Sequence, residues 1–210
     1  MSKLSHEYSV IGGFNRAKVG HSIGVVSAII SSGVVTLFLL LVQIAKYFGY
    51  GERIPALILW PLGAATIYAG IYWYFEKHGW KISAVSSFLK VPNLDGKWHC
   101  KGRKLNPDGS VELEWTGVLT IVQSWDQIRL YLKTGDSGSD SISAALLHDA
   151  SIGYKLMYTY KNQPRPDKPH LAPHTGYAEL LFDPDLKSAE GDYFNGRGRY
   201  SFGTMELSRM

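Results

Sequence analysis

Apolar and polar positions follow two different rules along this chain, and the change falls near residue 90. From Val19 to Ala45 and again from Ile54 to Phe75 there is no Asp, Glu, Lys or Arg, giving charge-free runs of 27 and 22 residues. A helix rises about 1.5 Å per residue and the hydrocarbon core of a bilayer is roughly 30 Å thick, so about 20 apolar residues suffice to cross it. The runs predict two transmembrane helices, over about 22–46 and 54–75. A signal peptide is a poor match for the first, because its apolar stretch would be only about 7–15 residues long. A buried hairpin of a soluble protein would need a large body around two helices apolar on every face. The residues after 90 are too few for that and carry a core of their own.

Beyond a juxtamembrane stretch, Glu76 to Lys90, the pattern becomes alternation with a period of two, broken by turn residues. It predicts eight strands, at about 95–104, 111–123, 127–134, 138–148, 151–161, 173–183, 187–194 and 197–208. Asn106-Pro107-Asp108-Gly109 and Asn195-Gly196 are hairpin turns, and Asp183-Pro184-Asp185 is a further turn. Short strands joined by tight turns point to an up-and-down barrel or a sandwich, and eight strands are about enough to close around one small ligand. The expected fold is therefore a membrane protein with an N-terminal two-helix transmembrane hairpin, residues 1–90, and an all-β C-terminal domain, residues 91–210, in the form of an eight-stranded up-and-down β-barrel.

Between the spans, Tyr47-Phe48-Gly49-Tyr50-Gly51 makes a short glycine-rich turn, and aromatics gather there and again at Tyr72 to Phe75 and Trp80, where bilayer interfaces favour them. Gly20, Gly24, Ala28, Ser32 and Thr36 recur every four residues, a stripe of small side chains of the kind that lets helix backbones approach. It serves equally to pack the first helix on the second or one hairpin on another. Pro55 sits at the start of the second span and Pro61 inside it, where a kink is expected. Neither span holds an ionisable residue for an ion pathway, apart from His21 at the edge, which argues against transport.

Charge sharpens this division. Residues 1–90 hold eight Lys/Arg against three Asp/Glu, a net of +5, while residues 91–210 hold 14 against 15, a net of −1. The basic character belongs to the membrane part, so the β domain has no surface for coating DNA or RNA. Lys3, Arg16 and Lys18 before the first span and Lys77, Lys81 and Lys90 after the second place both ends in the cytoplasm by the positive-inside rule. The single cysteine, Cys100, cannot form an internal disulfide and suits a reducing compartment.

Alternation also assigns faces. Val111, Leu113, Trp115, Leu119 and Ile121 share one face of their strand, and Tyr154, Leu156, Tyr158 and Tyr160 share one of theirs. In the last strand Met205 and Leu207 point inward, and counting back by twos adds Gly203, Ser201, Arg199 and Arg197, unless a bulge intervenes or the arginines lie beyond the rim in solvent. Inward guanidinium groups call for a phosphate or carboxylates. His170 and His174 have the spacing of a metal pair, but Pro169 and Pro173 exclude the helix that would align them, so no metal is expected. The four prolines between Lys161 and Pro173 mark an exposed loop, either a linker or a lid. The run Asp136 to Ser141 reads as a turn whose hydroxyls and N–H groups could hold a phosphate. Gly196-Arg197-Gly198 resembles a single RGG element. Nucleophile-elbow, P-loop and dinucleotide motifs are absent, and with them any support for an enzyme or a catalytic residue.

Leu94-Asp95-Gly96-Lys97-Trp98, Gln123-Ser124-Trp125-Asp126-Gln127-Ile128 and Glu190-Gly191-Asp192-Tyr193-Phe194, together with the order of two spans and then a β-barrel, carry a resemblance over essentially the whole chain. It resembles the two-transmembrane β-barrel effectors of bacterial CBASS anti-phage systems, β-strand-rich proteins associated with CD-NTases. The resemblance implies a bacterial inner-membrane protein, multi-pass, with its termini and barrel in the cytoplasm. Its barrel would receive a cyclic dinucleotide made by a cognate nucleotidyltransferase, with no other cofactor. Binding would drive the hairpins together into a homo-oligomer and disrupt the lipid bilayer, ending the infection abortively. For such a ligand the two phosphates fit Arg197 and Arg199. The bases could stack on Tyr158, Tyr160, Tyr193 or Trp98, with Thr134, Ser201 and Asn195 supplying hydrogen bonds. Gly20, Gly24, Ala28 and Ser32 are the candidates for helix association. The alternative from another class is a constitutive membrane-anchored scaffold, or a lipocalin-like binder of a lipid or other small molecule.

Overall fold

The structure, a computed structural model, describes residues 4–49, 63–197 and 199–210. The chain forms two compact units, Phe14–Trp80, and Met1–Gly13 together with Lys81–Met210.

In the first unit, α1 (Arg16–Tyr47) runs for 32 residues. Asn15 starts it, its side chain accepting from the backbone N–H of Ala17 at 2.8 Å and of Lys18 at 3.4 Å, which satisfies two of the donors that a helix N-terminus leaves open. Among the described residues α1 is the one helix long and apolar enough to cross a membrane. Helix α2 (Ala64–Lys77) covers the later part of the second predicted span; Tyr50 and Gly51 of the turn, and Pro55 and Pro61, lie outside the described residues.

The small-residue stripe divides between two surroundings. A methyl group on Gly20 or Gly24 would lie 3.7 or 4.0 Å from the ring or hydroxyl of Tyr68 on α2, so these two glycines face the partner helix. Further along α1 the buried positions are Ser27 and Ser31, while Ala28 and Ser32 are exposed. A four-residue step turns about 400° around a helix, roughly 40° more than one turn, so the series drifts off the contact face. Ser27 is buried without cost to its hydroxyl, which donates to the Ile23 carbonyl at 2.7 Å. Val25, Ile29, Leu37, Leu40 and Leu41 stand exposed around the rest of α1, as lipid-facing residues do.

The second unit is a closed barrel. Its strands are β1 (His6–Ile11), β2 (Gly96–Leu105), β3 (Val111–Gln123), β4 (Gln127–Thr134), β5 (Ser137–Asp149), β6 (Gly153–Pro164), β7 (His174–Phe182), β8 (Ser188–Asn195) and β9 (Phe202–Arg209). From β2 to β9 each strand pairs antiparallel with the next, and β9 returns to β2. This is the expected eight-stranded up-and-down order, with one strand more. β4 and β5 pair only from Tyr131–Lys133 to Gly138–Asp140. Beyond that they separate, and β1 fills the gap, antiparallel to β4 at His6 and Glu7 and parallel to β5 from Tyr8 to Ile11. The barrel is thus eight strands around at one end and nine at the other. A division of the chain at residue 90 puts His6–Ile11 with the membrane part, whereas these residues belong to the barrel.

Ser141 marks the fork. The register of β5 shifts between Ser141 and Ser143, and the Ser141 hydroxyl accepts from Leu130 N–H at 3.0 Å in place of a ladder carbonyl and lies 2.7 Å from His6 Nε2. At the other end of β1, Gly12 turns with φ +76, and a Cβ there would stand 2.1 Å from the His148 carbonyl oxygen, so only glycine fits.

The nine-stranded end is filled. Trp98, Ile121, Trp125, Ile128, Leu146, Leu156 and Leu180 are fully buried there, and Val91 and Leu94, which follow α3 (Ser83–Leu89), are as well. Gln123 ties this plug together: its Oε1 accepts from Leu94 N–H at 2.8 Å, and its Nε2 donates to Tyr8 Oη and to the Pro92 carbonyl, both at 3.2 Å.

A candidate ligand cavity at the open end of the barrel

The eight-stranded end is not filled. A cavity of about 510 Å³ opens there, within the range of small-molecule sites. Its floor is laid by alternation. Leu119 on β3, Leu130 on β4, Tyr158 on β6, Tyr193 on β8 and Met205 on β9 all point inward and are buried. Burial pushes the Tyr158, Tyr160 and Tyr193 hydroxyls above their ordinary range, and pushes the Cys100 thiol, also buried, up to about 12. The floor is therefore uncharged at neutral pH.

Trp115 forms one side. Its ring lies across Gly102 on the neighbouring strand, where any Cβ would come within 2.1 Å of the indole. Its Nε1 donates to Tyr193 Oη at 3.2 Å, and the two rings meet edge to face with centroids 5.8 Å apart. A glycine opposite a tryptophan on paired strands is the sequence signal for this packing, through the register Gly102 to Trp115.

Polar groups gather nearer the mouth in two networks. In one, Tyr160 Oη donates to Asn195 Oδ1 at 2.8 Å and Asn195 Nδ2 donates to Ser201 Oγ at 2.8 Å. His174 adjoins this chain; burial and then the charge of Arg199 outweigh its hydrogen bonds and hold its imidazole below the usual range, neutral at pH 7. In the other, on β5 and β6, Asn162 Nδ2 donates to Ser137 Oγ at 2.9 Å and to Ser139 Oγ at 2.8 Å, with Thr134 Oγ1 3.3 Å from Ser137 Oγ.

Arg199 reaches the cavity from a loop, not from a strand. The last strand begins at Phe202, not at residue 197. From Gly196 to Arg199 the sequence alternates glycine and arginine as a strand could, but the described residues Gly196, Arg197, Arg199 and Tyr200 form a turn. Arg199 and Tyr200 N–H both donate to the Gly196 carbonyl at 3.1 Å, Asn195 N–H donates to the Ser201 carbonyl at 2.6 Å, and Tyr200 takes φ +42. The inward parity counted back from Met205 holds for Gly203 and Ser201, which are buried, and ends there. Arg197 is exposed and does not line the cavity.

Of the residues singled out from the sequence, Thr134, Tyr158, Tyr160, Tyr193, Asn195, Arg199 and Ser201 line this one cavity. Trp98 does not. It points inward but at the filled end, with Nε1 donating to the Leu94 carbonyl at 3.1 Å, Phe182 against its edge and Arg209 5.2 Å over its ring. Asn162, Ser137, Ser139 and Leu171 complete the mouth. His170 also lines it, and the proline-rich loop that carries His170 is tied to the β4–β5 turn: Arg165 N–H donates to the Asp136 carbonyl at 2.9 Å and Lys168 pairs with Asp136 at 2.9 Å. Among the described residues no group of three or more His, Cys, Asp or Glu is placed to hold a metal ion.

Compared with known families, residues 89–209 match a model described as the cyclic dinucleotide receptor domain of Cap15, and residues 17–81 match one described as its TM helices. Over 206 residues the chain is 45% identical to the CD-NTase-associated protein 15 of Yersinia aleksiciae, covering 98% of each.

Proposed function

The chain belongs to the Cap15 family, carrying that family's transmembrane helices and cyclic dinucleotide receptor domain in order along one polypeptide, and from this premise we propose that it is a ligand-gated membrane effector of a CBASS system. A cyclic dinucleotide made by a cognate nucleotidyltransferase enters the open end of the barrel. Arg199 pairs with phosphate, the tyrosines and Trp115 present ring faces and edges to the bases, and the hairpins associate in the bacterial inner membrane and disrupt it. Both termini and the barrel lie in the cytoplasm. No step of this requires the protein to be an enzyme.

The observation that carries the proposal is the contrast inside one barrel between a filled end and an open, polar end of ligand size with a guanidinium at its mouth. A lipid-binding interior would be apolar to its rim; Asn162, Asn195, Ser137 and Arg199 line this one. Binding shifts the hairpins only as far as the ligand prefers the associated state. In the membrane part, Gly20 and Gly24 serve the contact with Tyr68 inside one hairpin, which leaves Ala28 and Ser32, exposed on α1, for contact between hairpins. The test is binding of a panel of 3′,3′- and 2′,3′-linked cyclic dinucleotides of A, G, C and U to the full chain in nanodiscs. We expect saturable binding of at least one member. Binding of none would remove the receptor assignment.

A further inference from the structure

Asn162 is buried, with 5% of its surface exposed, on the inward face of β6 where it lines the cavity. Both hydrogens of its amide are committed to Ser137 and Ser139, which fixes the plane of the group. Its carbonyl oxygen, Oδ1, has no hydrogen-bond partner among the described residues. A buried acceptor left open is costly, and native structures rarely tolerate one without a use. Ser139 accepts from Asn162, and its own hydroxyl hydrogen has no acceptor among the described residues. This wall therefore offers an acceptor beside a donor.

An anion is the wrong partner for it. Oδ1 would repel a phosphate oxygen, and the guanidinium of Arg199 reaches the cavity from the β8–β9 loop, a different part of the rim. We infer that Asn162 and Ser139 read the edge of a nucleobase, Oδ1 accepting from a base N–H and the serine hydroxyl donating to the neighbouring ring nitrogen or carbonyl, while Arg199 holds a phosphate. The inference rests on the cyclic dinucleotide assignment and adds to it a polarity and a specificity residue. A base edge presents a donor next to an acceptor in one plane, and a site whose buried polar group needs a partner rejects analogues that lack it.

The test is a cycle between protein and ligand, carried out with the full chain in nanodiscs and the tightest-binding member of the panel. One base at a time has its donor removed, by replacing the exocyclic amino group with hydrogen or, for uracil, by methylating N3. On the wild-type chain one of the two base analogues should bind about ten- to a hundredfold more weakly than its parent. In N162L that ratio should fall to near one. N162D retains an acceptor at the same place, so it should keep the ratio while binding parent and analogue alike more weakly, because its charge repels the phosphates; N162A, which also lacks the acceptor, should lose the ratio as N162L does and carries the test if N162L does not fold. An equal ratio in wild type and N162L, a ratio near one for both bases in the wild type, or sensitivity to 2′-deoxy substitution in place of base substitution would overturn the inference. In each of those cases the parent still binds, so the receptor assignment stands. Failure of every panel member to bind is the separate result that removes that assignment.

Discussion

Two amide side chains are buried inside this barrel, one near each end, and they are used in opposite ways. Gln123, on the last residue of β3, has 4% of its surface exposed and every polar atom occupied, its oxygen by Leu94 N–H and its nitrogen by Tyr8 and Pro92. Asn162, on β6, has 5% exposed and its nitrogen occupied, but its oxygen is open. The burial is the same and the bookkeeping differs. A buried amide whose bonds are all made closes a core, and one with a bond to spare marks where a second molecule completes the fold.

The largest effect should come from breaking the closed side of this comparison. Gln123→Leu removes the Gln123 bonds of the Leu94 N–H, the Pro92 carbonyl and the Tyr8 hydroxyl, of which Tyr8 still donates to the Ser124 carbonyl. At about 1–3 kcal/mol for each of the Leu94 and Pro92 groups, we expect a loss of at least about 2 kcal/mol in barrel stability. Chemical unfolding of the full chain in detergent, followed by the fluorescence of the buried Trp98 and Trp125, would measure it. Asn162→Leu, by contrast, should cost under about 1 kcal/mol in the same experiment, since the serines it releases line the open cavity. Equal losses would dissolve the distinction between the two amides.

A smaller effect, confined to binding, separates the two arginines. Arg199→Ala should weaken a cyclic dinucleotide about ten- to a hundredfold, the worth of a charge-assisted hydrogen bond, with little change in stability. Arg197→Ala should leave affinity within about twofold, as an exposed charge away from the lining acts only through a screened field. Titration calorimetry on both variants decides it.

Much of the barrel was legible because alternation is a local property. β3 and β4 have the bounds read from the sequence, and β2 and β5 to β8 agree to within about three residues. The inward parity of Tyr158, Tyr160, Met205 and Leu207 could be counted residue by residue. β1 was not legible. Six residues, His-Glu-Tyr-Ser-Val-Ile, carry too little alternation to stand out, and their partners on β5 lie more than 130 positions away, beyond the whole helical unit Phe14–Trp80. Parity reports the face of a strand and is silent about height. Trp98 and Tyr158 both point inward, yet one plugs the closed end and the other floors the cavity. Height follows only from register between strands. The β8–β9 loop misled because alternating Gly and Arg imitates a strand, and the turn rests on Tyr200 at positive φ, a conformation an aromatic residue seldom takes. Asn162 escaped notice for the opposite reason. It lies one residue beyond the strand read as 151–161, and a polar residue facing inward breaks the rule by which such positions are recognised.

Hydrogen exchange of the full chain in nanodiscs, with and without a saturating cyclic dinucleotide, tests the central claim most directly, because it reads both ends of the barrel at once. The contrast between the ends predicts new protection around residues 134–139, 158–162 and 193–201, which line or border the cavity, and little change around 91–98 and 121–128. Protection confined to the filled end, or none at the open end under saturating ligand, would contradict it.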